Sequence, residues 1–258
     1  MIHETAIVAS SARIAEGVSI GAYSVIGDDV VIGAGTVIDN HVVIKGPTVI
    51  GRDNHFYSFS SIGEEPQDLK YQGEPTRLEI GDRNKVREFC TFNRGTEEGG
   101  GLTKIGSDNL FMAYCHVAHD CWVKDQVVVA NNTALAGHVT VENGAKLGGF
   151  TLVHQFCHLG SQCFTSMGSA INKDVTPYTL VAGNYANAIG INKIGLKRAG
   201  MSEDTVKALH KAFRVLVYSK KSRDEALETL APLIEQHAEV REFVEFVQNS
   251  ERGVVRSR

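Results

Sequence analysis

An alternation of long apolar and small side chains with a period of six residues runs through most of the chain. The long apolar column continues through residue 62 and resumes at Ile80, Val86 and Phe92. From Ile105 to Ile171 it returns shifted by one residue, with Thr165 as its only polar member. Its first members are Ile2, Val8, Ile14, Ile20, Ile26, Ile32, Ile38, Ile44, Ile50, Phe56 and Ile62. Two inward positions in every six residues predict short strands joined by tight corners, stacked into one continuous core.

A second column, four residues after each long apolar one, takes small or β-branched side chains. It contains every cysteine of the chain: Cys90, Cys115, Cys121, Cys157 and Cys163. An odd number of cysteines without a CxxC pair argues against a disulfide framework and against a zinc knuckle. We therefore interpret them as small buried hydrophobic residues. Asn54, Asn84 and Asn109 occupy the same column, for which the sequence alone gives no physical account.

Two stretches break the repeat. Residues 66–77 and 94–103 gain charge and glycine, and we expect them to leave the stack as loops, where binding groups tend to lie. The repeat fades after Val175. We therefore predict a β-helical domain over residues 1–190 and a small helical domain over residues 191–258.

The predicted C-terminal domain carries helical periodicity and capping signals. Ser202 is a candidate N-cap with acidic residues in the following turn, and Ser222 with Glu225 forms a capping-box pattern. Pro232 is expected to bend or divide the second of these helices. A last helix is predicted around Val240.

Charge is distributed unevenly along the chain. The net charge is -4, yet residues 190–258 carry 13 Lys+Arg against 10 Asp+Glu. This favours either an acidic partner or phosphate near the C-terminal part, or an ordinary solvated helical surface. No apolar run reaches the roughly 18 residues of a membrane span, and the N-terminus lacks a signal-peptide pattern. We expect a cytoplasmic protein without membrane insertion or a nucleic-acid partner.

The hexad pattern resembles the hexapeptide-repeat acyltransferases. That resemblance implies a left-handed parallel β-helix with 18 residues per coil, and a homotrimer. If a coil takes 18 residues, His119 lies beside Gly137 on the next coil, and Asp120 lies beside His138. A histidine is a suitable general base when a neighbour fixes its tautomer, and a glycine lets a backbone N–H approach an oxyanion closely. Structural polar side chains on corners are the alternative reading of these histidines.

Five strings narrow the resemblance to the UDP-N-acetylglucosamine O-acyltransferase family of lipid A biosynthesis. They are SSIGEEPQDLKYQGEPTRLEIGDRN, HVAHDCWV, NNTALAGHV, VHQFC and NKIGLKRAG. The resemblance implies that (R)-3-hydroxyacyl-acyl carrier protein donates its acyl group to the 3-hydroxyl of UDP-N-acetylglucosamine, the first step of the pathway, without a cofactor or metal. The acidic carrier protein would suit the basic tail, where Lys193, Lys197 and Arg198 are the nearest candidates.

Site residues follow from matched positions in the same family. The resemblance implies that His119 is the catalytic base, that Asp120 orients it, and that the Gly137 amide faces the thioester oxygen. Met167 matches the position that limits acyl-chain length and predicts a medium chain near ten carbons. Implied substrate contacts are Gln67, Asp68, Lys70, His116, His138, His154 and Gln155, with Asn192 and Arg198 at the nucleotide end. Ala199, Ile194 and Asn93 depart from the family pattern, so nucleotide contacts are expected to differ.

Three other interpretations stay open. A γ-type carbonic anhydrase uses three histidine zinc ligands on the same scaffold, and His116, His119 and His138 are candidates for them. An acceptor with a 3-amino sugar would give an amide instead of an ester. A non-catalytic β-helix would leave the histidine-rich strings without a purpose.

Overall fold

The repeat folds as short strands. Within residues 1–219 and 222–257, which the computed structural model describes, there are 27 strands, most of them two residues long. In chain order they are β1 (Ile7–Val8), β2 (Arg13–Ile14), β3 (Ser19–Ile20), β4 (Val25–Ile26), β5 (Val30–Ile32), β6 (Val37–Ile38), β7 (Val43–Ile44), β8 (Thr48–Ile50), β9 (His55–Phe56), β10 (Ser61–Glu64), β11 (Arg77–Ile80), β12 (Lys85–Val86), β13 (Thr91–Asn93), β14 (Leu102–Ile105), β15 (Leu110–Phe111), β16 (His116–Val117), β17 (Trp122–Val123), β18 (Val128–Val129), β19 (Ala134–Leu135), β20 (Thr140–Val141), β21 (Lys146–Leu147), β22 (Leu152–Val153), β23 (His158–Leu159), β24 (Phe164–Thr165), β25 (Ala170–Ile171), β26 (Thr179–Gly183) and β27 (Ala186–Ile191).

Every third strand joins the same sheet, so the chain winds into a three-sided parallel β-helix. The first sheet runs from β1 through β4 and β7 to β25, the second from β2 through β5 to β23, and the third from β3 through β6 to β26 and β27. Ile7 pairs with Val25, and Val8 pairs with Ile26. The register of 18 residues per coil is therefore present, and only the terminal β26–β27 pair is antiparallel among the strands described.

Both predicted columns point into the helix. The long apolar side chains from Ile20 to Ile171 are almost fully buried, and all five cysteines are buried among them. Each buried aliphatic side chain contributes roughly 1.5–3 kcal/mol to folding. The core is thus a single column along the helix axis, as the repeat predicts.

The three asparagines of the small-residue column form a hydrogen-bonded ladder. Asn54 Oδ1 accepts from the Asn84 backbone N–H at 2.9 Å, and Asn84 Oδ1 accepts from that of Asn109 at 3.0 Å. Asn109 Oδ1 continues the series to the Val127 N–H at 2.7 Å. This ladder explains why amides replace apolar residues at these positions: each satisfies the backbone of the next coil inside the core.

Both predicted loops leave the stack, with slightly shorter bounds than expected. The first spans residues 65–76 and the second residues 94–101, because Arg77 and Leu102 already belong to strands β11 and β14. Both loops leave from the corner between the first and second sheets. The strands on either side resume their pairing, with Ser61 opposite Thr91 and Thr91 opposite His116.

The C-terminal part is helical. It contains α1 (Lys193–Arg198), α2 (Glu203–Phe213), a π-helical turn (Arg214–Tyr218), α3 (Arg223–Gln236) and α4 (Ala238–Asn249). Ser202 caps α2, and Ser222 with Glu225 forms the predicted capping box of α3. The expectation that Pro232 divides α3 is wrong, because the helix continues through it. Pro232 is exposed, and on the solvent side water can bond the carbonyl that loses its partner.

The helices and the coils share one core. Leu196, Leu209 and Phe213 belong to the same buried cluster as the apolar residues of the last coils. The proposed division at residues 190 and 191 falls at the end of β27. Among the described residues, no helix is long and apolar enough to cross a membrane.

Candidate active site

His119 and Asp120 form a hydrogen-bonded pair at the corner between the first and second sheets. His119 Nδ1 lies 2.8 Å from Asp120 Oδ2, and the Asp120 side chain is 1% exposed. A carboxylate only accepts hydrogen bonds, so Nδ1 carries the proton. Nε2 of the neutral ring is then the basic nitrogen, which is the arrangement a general base requires.

Thr96 holds the carboxylate of Asp120 from the second loop. Its hydroxyl donates to Asp120 Oδ2 at 2.6 Å and its backbone N–H donates to Oδ1 at 2.8 Å. A Cβ on Gly99 would lie 2.1 Å from Asp120 Cγ, so only glycine lets the loop wrap the carboxylate this closely. The sequence patterns did not single out Thr96. The available signal was its position in the string RGT at the start of the second loop.

Gly137 lies directly against the His119 ring. A Cβ built on Gly137 would stand 2.5 Å from His119 Cε1 and 2.8 Å from Nε2. The adjacency predicted for these two residues is therefore present. The one predicted for Asp120 and His138 is present as well, with 3.6 Å between Asp120 Oδ2 and His138 Nε2.

His138 packs between two aromatic neighbours on the same corner. Its ring is stacked on Phe156 at 4.4 Å and meets His119 edge-on at 5.2 Å between ring centroids. Burial lowers the pKa of His138, and Asp120 opposes this shift. The neutral ring is therefore favoured near neutral pH.

His116 faces outward from the first sheet and has its own partner. Its Nδ1 lies 2.7 Å from Thr91 Oγ1, and burial lowers its pKa. Among the described residues, the group whose ligand atoms could hold a metal is His119, Asp120 and His138, with those atoms within 4.8 Å of one another. The three-histidine set considered from the sequence is therefore corrected, because His116 is not part of the group.

The two loops meet above this corner. Lys70 Nζ of the first loop lies 2.9 Å from Glu98 Oε2 of the second, and the hydrogen bond to Glu98 raises the pKa of Lys70. Asp68 Oδ1 accepts the backbone N–H of Lys70 at 2.9 Å. Both carboxylates lie close enough to His138 to act on its pKa. The first loop, with exposed Gln67, therefore overhangs the His119 corner.

Arg94 ties the base of the two loops together. Its guanidinium donates to the Gly63 carbonyl at 2.6 Å and to the Tyr71 hydroxyl at 3.2 Å. Arg94 is 7% exposed. A buried, always charged donor group between the loops fixes their mutual position.

His154 and Gln155 extend the corner toward the C-terminal end. Gln155 stacks two coils beyond His119, and both side chains are exposed. The spacing of two strands is roughly 10 Å. Together with His116 and His138, these residues form one polar strip on a single chain.

Asn192, Arg198 and Met167 lie elsewhere on the chain. Asn192 caps α1 by accepting the Gly195 N–H at 3.1 Å, and it lines a groove of about 530 Å³ with Arg198 over the third sheet. Met167 is 78% exposed at the corner between the third and first sheets. The third sheet is opposite the corner of His119, so one chain does not bring these three residues to it.

Comparisons with known proteins agree with this geometry. A family model described as UDP N-acetylglucosamine O-acyltransferase, domain 2, matches residues 174–255. The chain is 53% identical over 255 residues to acyl-(acyl-carrier-protein)-UDP-N-acetylglucosamine O-acyltransferase of Thiobacillus denitrificans, with 99% of each covered. It is 47% identical to the solved UDP-N-acetylglucosamine O-acyltransferase of Moraxella catarrhalis and 43% identical to the solved LpxA of Acinetobacter baumannii. Both structures give a TM-score of 0.96, with 99% of each chain covered, and confirm the left-handed β-helix.

Proposed function

The chain belongs to the family of acyl-(acyl-carrier-protein)-UDP-N-acetylglucosamine O-acyltransferases, and we propose that it uses His119 as the general base of this transfer. It is an O-acyltransferase that takes an acyl group from acyl carrier protein to UDP-N-acetylglucosamine. The acyl group proposed is (R)-3-hydroxyacyl and the acceptor atom the sugar 3-hydroxyl, in the first step of lipid A biosynthesis. The observation that carries this proposal is the His119–Asp120 hydrogen bond beside Gly137.

The proposed reaction is a direct acyl transfer. His119 Nε2 takes the proton of the 3-hydroxyl as the oxygen attacks the thioester carbonyl, and Asp120 stabilises the imidazolium that forms. The Gly137 N–H stabilises the negative oxygen of the tetrahedral intermediate. The C–S bond then breaks, the ester remains, and the imidazolium returns the proton to the departing thiolate. The described cysteines are all buried, so none is placed to form an acyl-enzyme.

The remaining matched residues are proposed as substrate contacts. Gln67, Asp68 and Lys70 overhang the His119 corner, which suits a sugar nucleotide held against the base. His116, His138, His154 and Gln155 line the same corner and offer hydrogen bonds to it. Asn192 and Arg198 are proposed for the nucleotide end, where a guanidinium suits a pyrophosphate.

Completing the site requires a second copy of the chain, and we propose the homotrimer. The first residues of the nine strands of the first sheet face outward and include no acidic residue, lysine or arginine. They are Ile7, Val25, Val43, Ser61, Thr91, His116, Ala134, Leu152 and Ala170. An uncharged face of this length favours association. It would bring Asn192, Arg198 and Met167 of one copy toward His119 of the next.

Acyl carrier protein is proposed to dock on the basic helical surface. A groove of about 490 Å³ lies between α1 and α2, lined by apolar Met201 and Val206 and by four basic side chains. These are Lys193, Lys197, Lys207 and His210. Complementary charge would steer the acidic carrier protein to this surface, so high salt should weaken donor use. A cytoplasmic location stays a prediction.

The deciding experiment is a transfer assay with purified acyl carrier proteins of defined chain length. His119→Ala should lower the rate by about 10²–10⁴-fold, because a general base contributes that much. His3→Ala, which removes an exposed histidine at the N-terminus, is the matched control and should leave the rate unchanged. Activity of His119→Ala within a few-fold of the unmodified chain would remove His119 from the mechanism.

Two alternatives are separated by the same preparation. A 3-amino sugar nucleotide tests whether the chain forms an amide, since the proposed base serves an amine equally well. The metal-compatible group His119, Asp120 and His138 keeps a zinc lyase as a second candidate. One zinc per subunit, with activity lost on chelation, would contradict the metal-free transferase mechanism.

A further inference from the structure

The C-terminal segment, residues 250–256, returns to the last coil of the β-helix and is fastened there. Asp174 anchors it, since its N–H donates to the Gly253 carbonyl at 3.0 Å and its carbonyl accepts the Val255 N–H at 2.8 Å. Ser250 Oγ donates to Asp174 Oδ2 at 2.6 Å. Arg252 therefore stands on a backbone that is held on both sides.

The guanidinium of Arg252 contacts a histidine of the polar strip. Its Nη2 lies 2.8 Å from His154 Nδ1, and its Nε donates to the Asn172 carbonyl at 2.9 Å. A guanidinium has only donors and keeps its proton at every relevant pH. His154 Nδ1 must therefore accept this hydrogen bond with an unprotonated nitrogen.

A competing contact exists at the same nitrogen. His154 Nδ1 also lies 3.2 Å from the Gln155 carbonyl, to which only a protonated Nδ1 could donate. The two bonds exclude each other, and the shorter, charge-assisted one to Arg252 is the stronger. With Nδ1 occupied as an acceptor, the proton of the neutral ring resides on Nε2.

We propose that Arg252 is a positioning residue that fixes His154 as a neutral donor through Nε2–H, ready for an oxygen of the sugar nucleotide. The substrate end of this statement rests on the proposed function, whereas the tautomer does not. The C-terminal segment, 98 residues beyond His154, thus sets the hydrogen-bonding character of the substrate strip.

The tautomer is tested by NMR on protein labelled with ¹⁵N-histidine, with the His154 signals assigned by their loss in His154→Gln. The expected spectrum has an unprotonated Nδ1 and a protonated Nε2, and Arg252→Gln should return His154 to a mixture of tautomers. A protonated Nδ1 in the unmodified chain, or an unchanged spectrum in Arg252→Gln, would overturn the proposal.

The link to substrate is tested by a double-mutant cycle on KM for UDP-N-acetylglucosamine. Arg252→Gln should raise KM about tenfold with a smaller change in kcat, and should add nothing in a His154→Ala background. Equal effects in both backgrounds would mean that Arg252 does not act through His154. Arg256→Gln is the control, because this arginine of the same segment bonds the Leu216 carbonyl away from the strip. Absence of any transfer in the unmodified chain would refute the proposed function while leaving the NMR result to stand.

Discussion

A methyl group added at Gly137 should disable the enzyme with little effect on folding. Gly137 is not among the residues with positive φ, so alanine can adopt its backbone conformation. The added Cβ would lie 2.5 Å from His119 Cε1. Relieving this contact to the 3.4 Å of ordinary van der Waals packing requires the ring to move by about 0.9 Å.

A movement of that size matters more for catalysis than for stability. Catalytic groups must be held within about 0.5 Å of the productive geometry, and a misplacement of about 1 Å costs on the order of 10²-fold in rate. Gly137→Ala should therefore lower kcat/KM about 100-fold. The free energy of unfolding should fall by no more than about 1–3 kcal/mol, the usual cost of overpacking.

The assay is acyl transfer from 3-hydroxyacyl-acyl carrier protein to UDP-N-acetylglucosamine, run beside denaturant unfolding. Gly27→Ala is the matched control on another corner, because its Cβ would meet the Ile44 carbonyl oxygen at an ordinary 3.4 Å. The control should keep both rate and stability. If Gly137→Ala retained more than a third of the normal kcat/KM while folded, the argument that Gly137 gives His119 its place would fail.

Three further predictions address other parts of the site. Thr96→Val keeps the backbone bond to Asp120 but loses the 2.6 Å hydroxyl bond, so kcat/KM should fall about tenfold, and an unchanged value would show that the hydroxyl is dispensable. Met167→Gly should shift donor preference from 3-hydroxydecanoyl toward 3-hydroxymyristoyl carrier protein; a faster reaction with the longer donor in the unmodified chain, without a further shift in the variant, would contradict this. Burial lowers the pKa of His116, so the unfolded chain binds its proton more readily, and stability should decline as pH falls below about 6.5, the ordinary histidine pKa. His116→Gln should flatten that decline in denaturant unfolding measured at several pH values, and an equal slope would count against it.

The sequence predicts the stack well because burial has a strict period. Each long apolar residue of the repeat has one inward position, so the coil length also places His119 beside Gly137 without any knowledge of the loops. The contact between Thr96 and Asp120 had no such period. It depends on how a glycine-rich loop folds back on a corner, which local pattern does not encode.

Long-range contacts of the C-terminal segment were equally inaccessible. Arg252 and His154 are separated by 98 residues, and nothing in the composition near either one marks the other. The zinc set proposed from sequence failed for a related reason: histidines close in number can point in different directions. His116 lies on a strand and faces outward, whereas His119 sits on the corner itself.

The asparagine ladder makes the two excursions of the chain interchangeable parts. Its rungs join residues that are 30 and 25 positions apart, and they lie away from the corner where the loops depart. Because the ladder and the strand pairing fix the register of these coils, the detours between them are free to change in length without shifting the frame. Relatives of this enzyme can therefore diversify what they recognise by exchanging the two excursions, while the wound frame beneath is inherited intact.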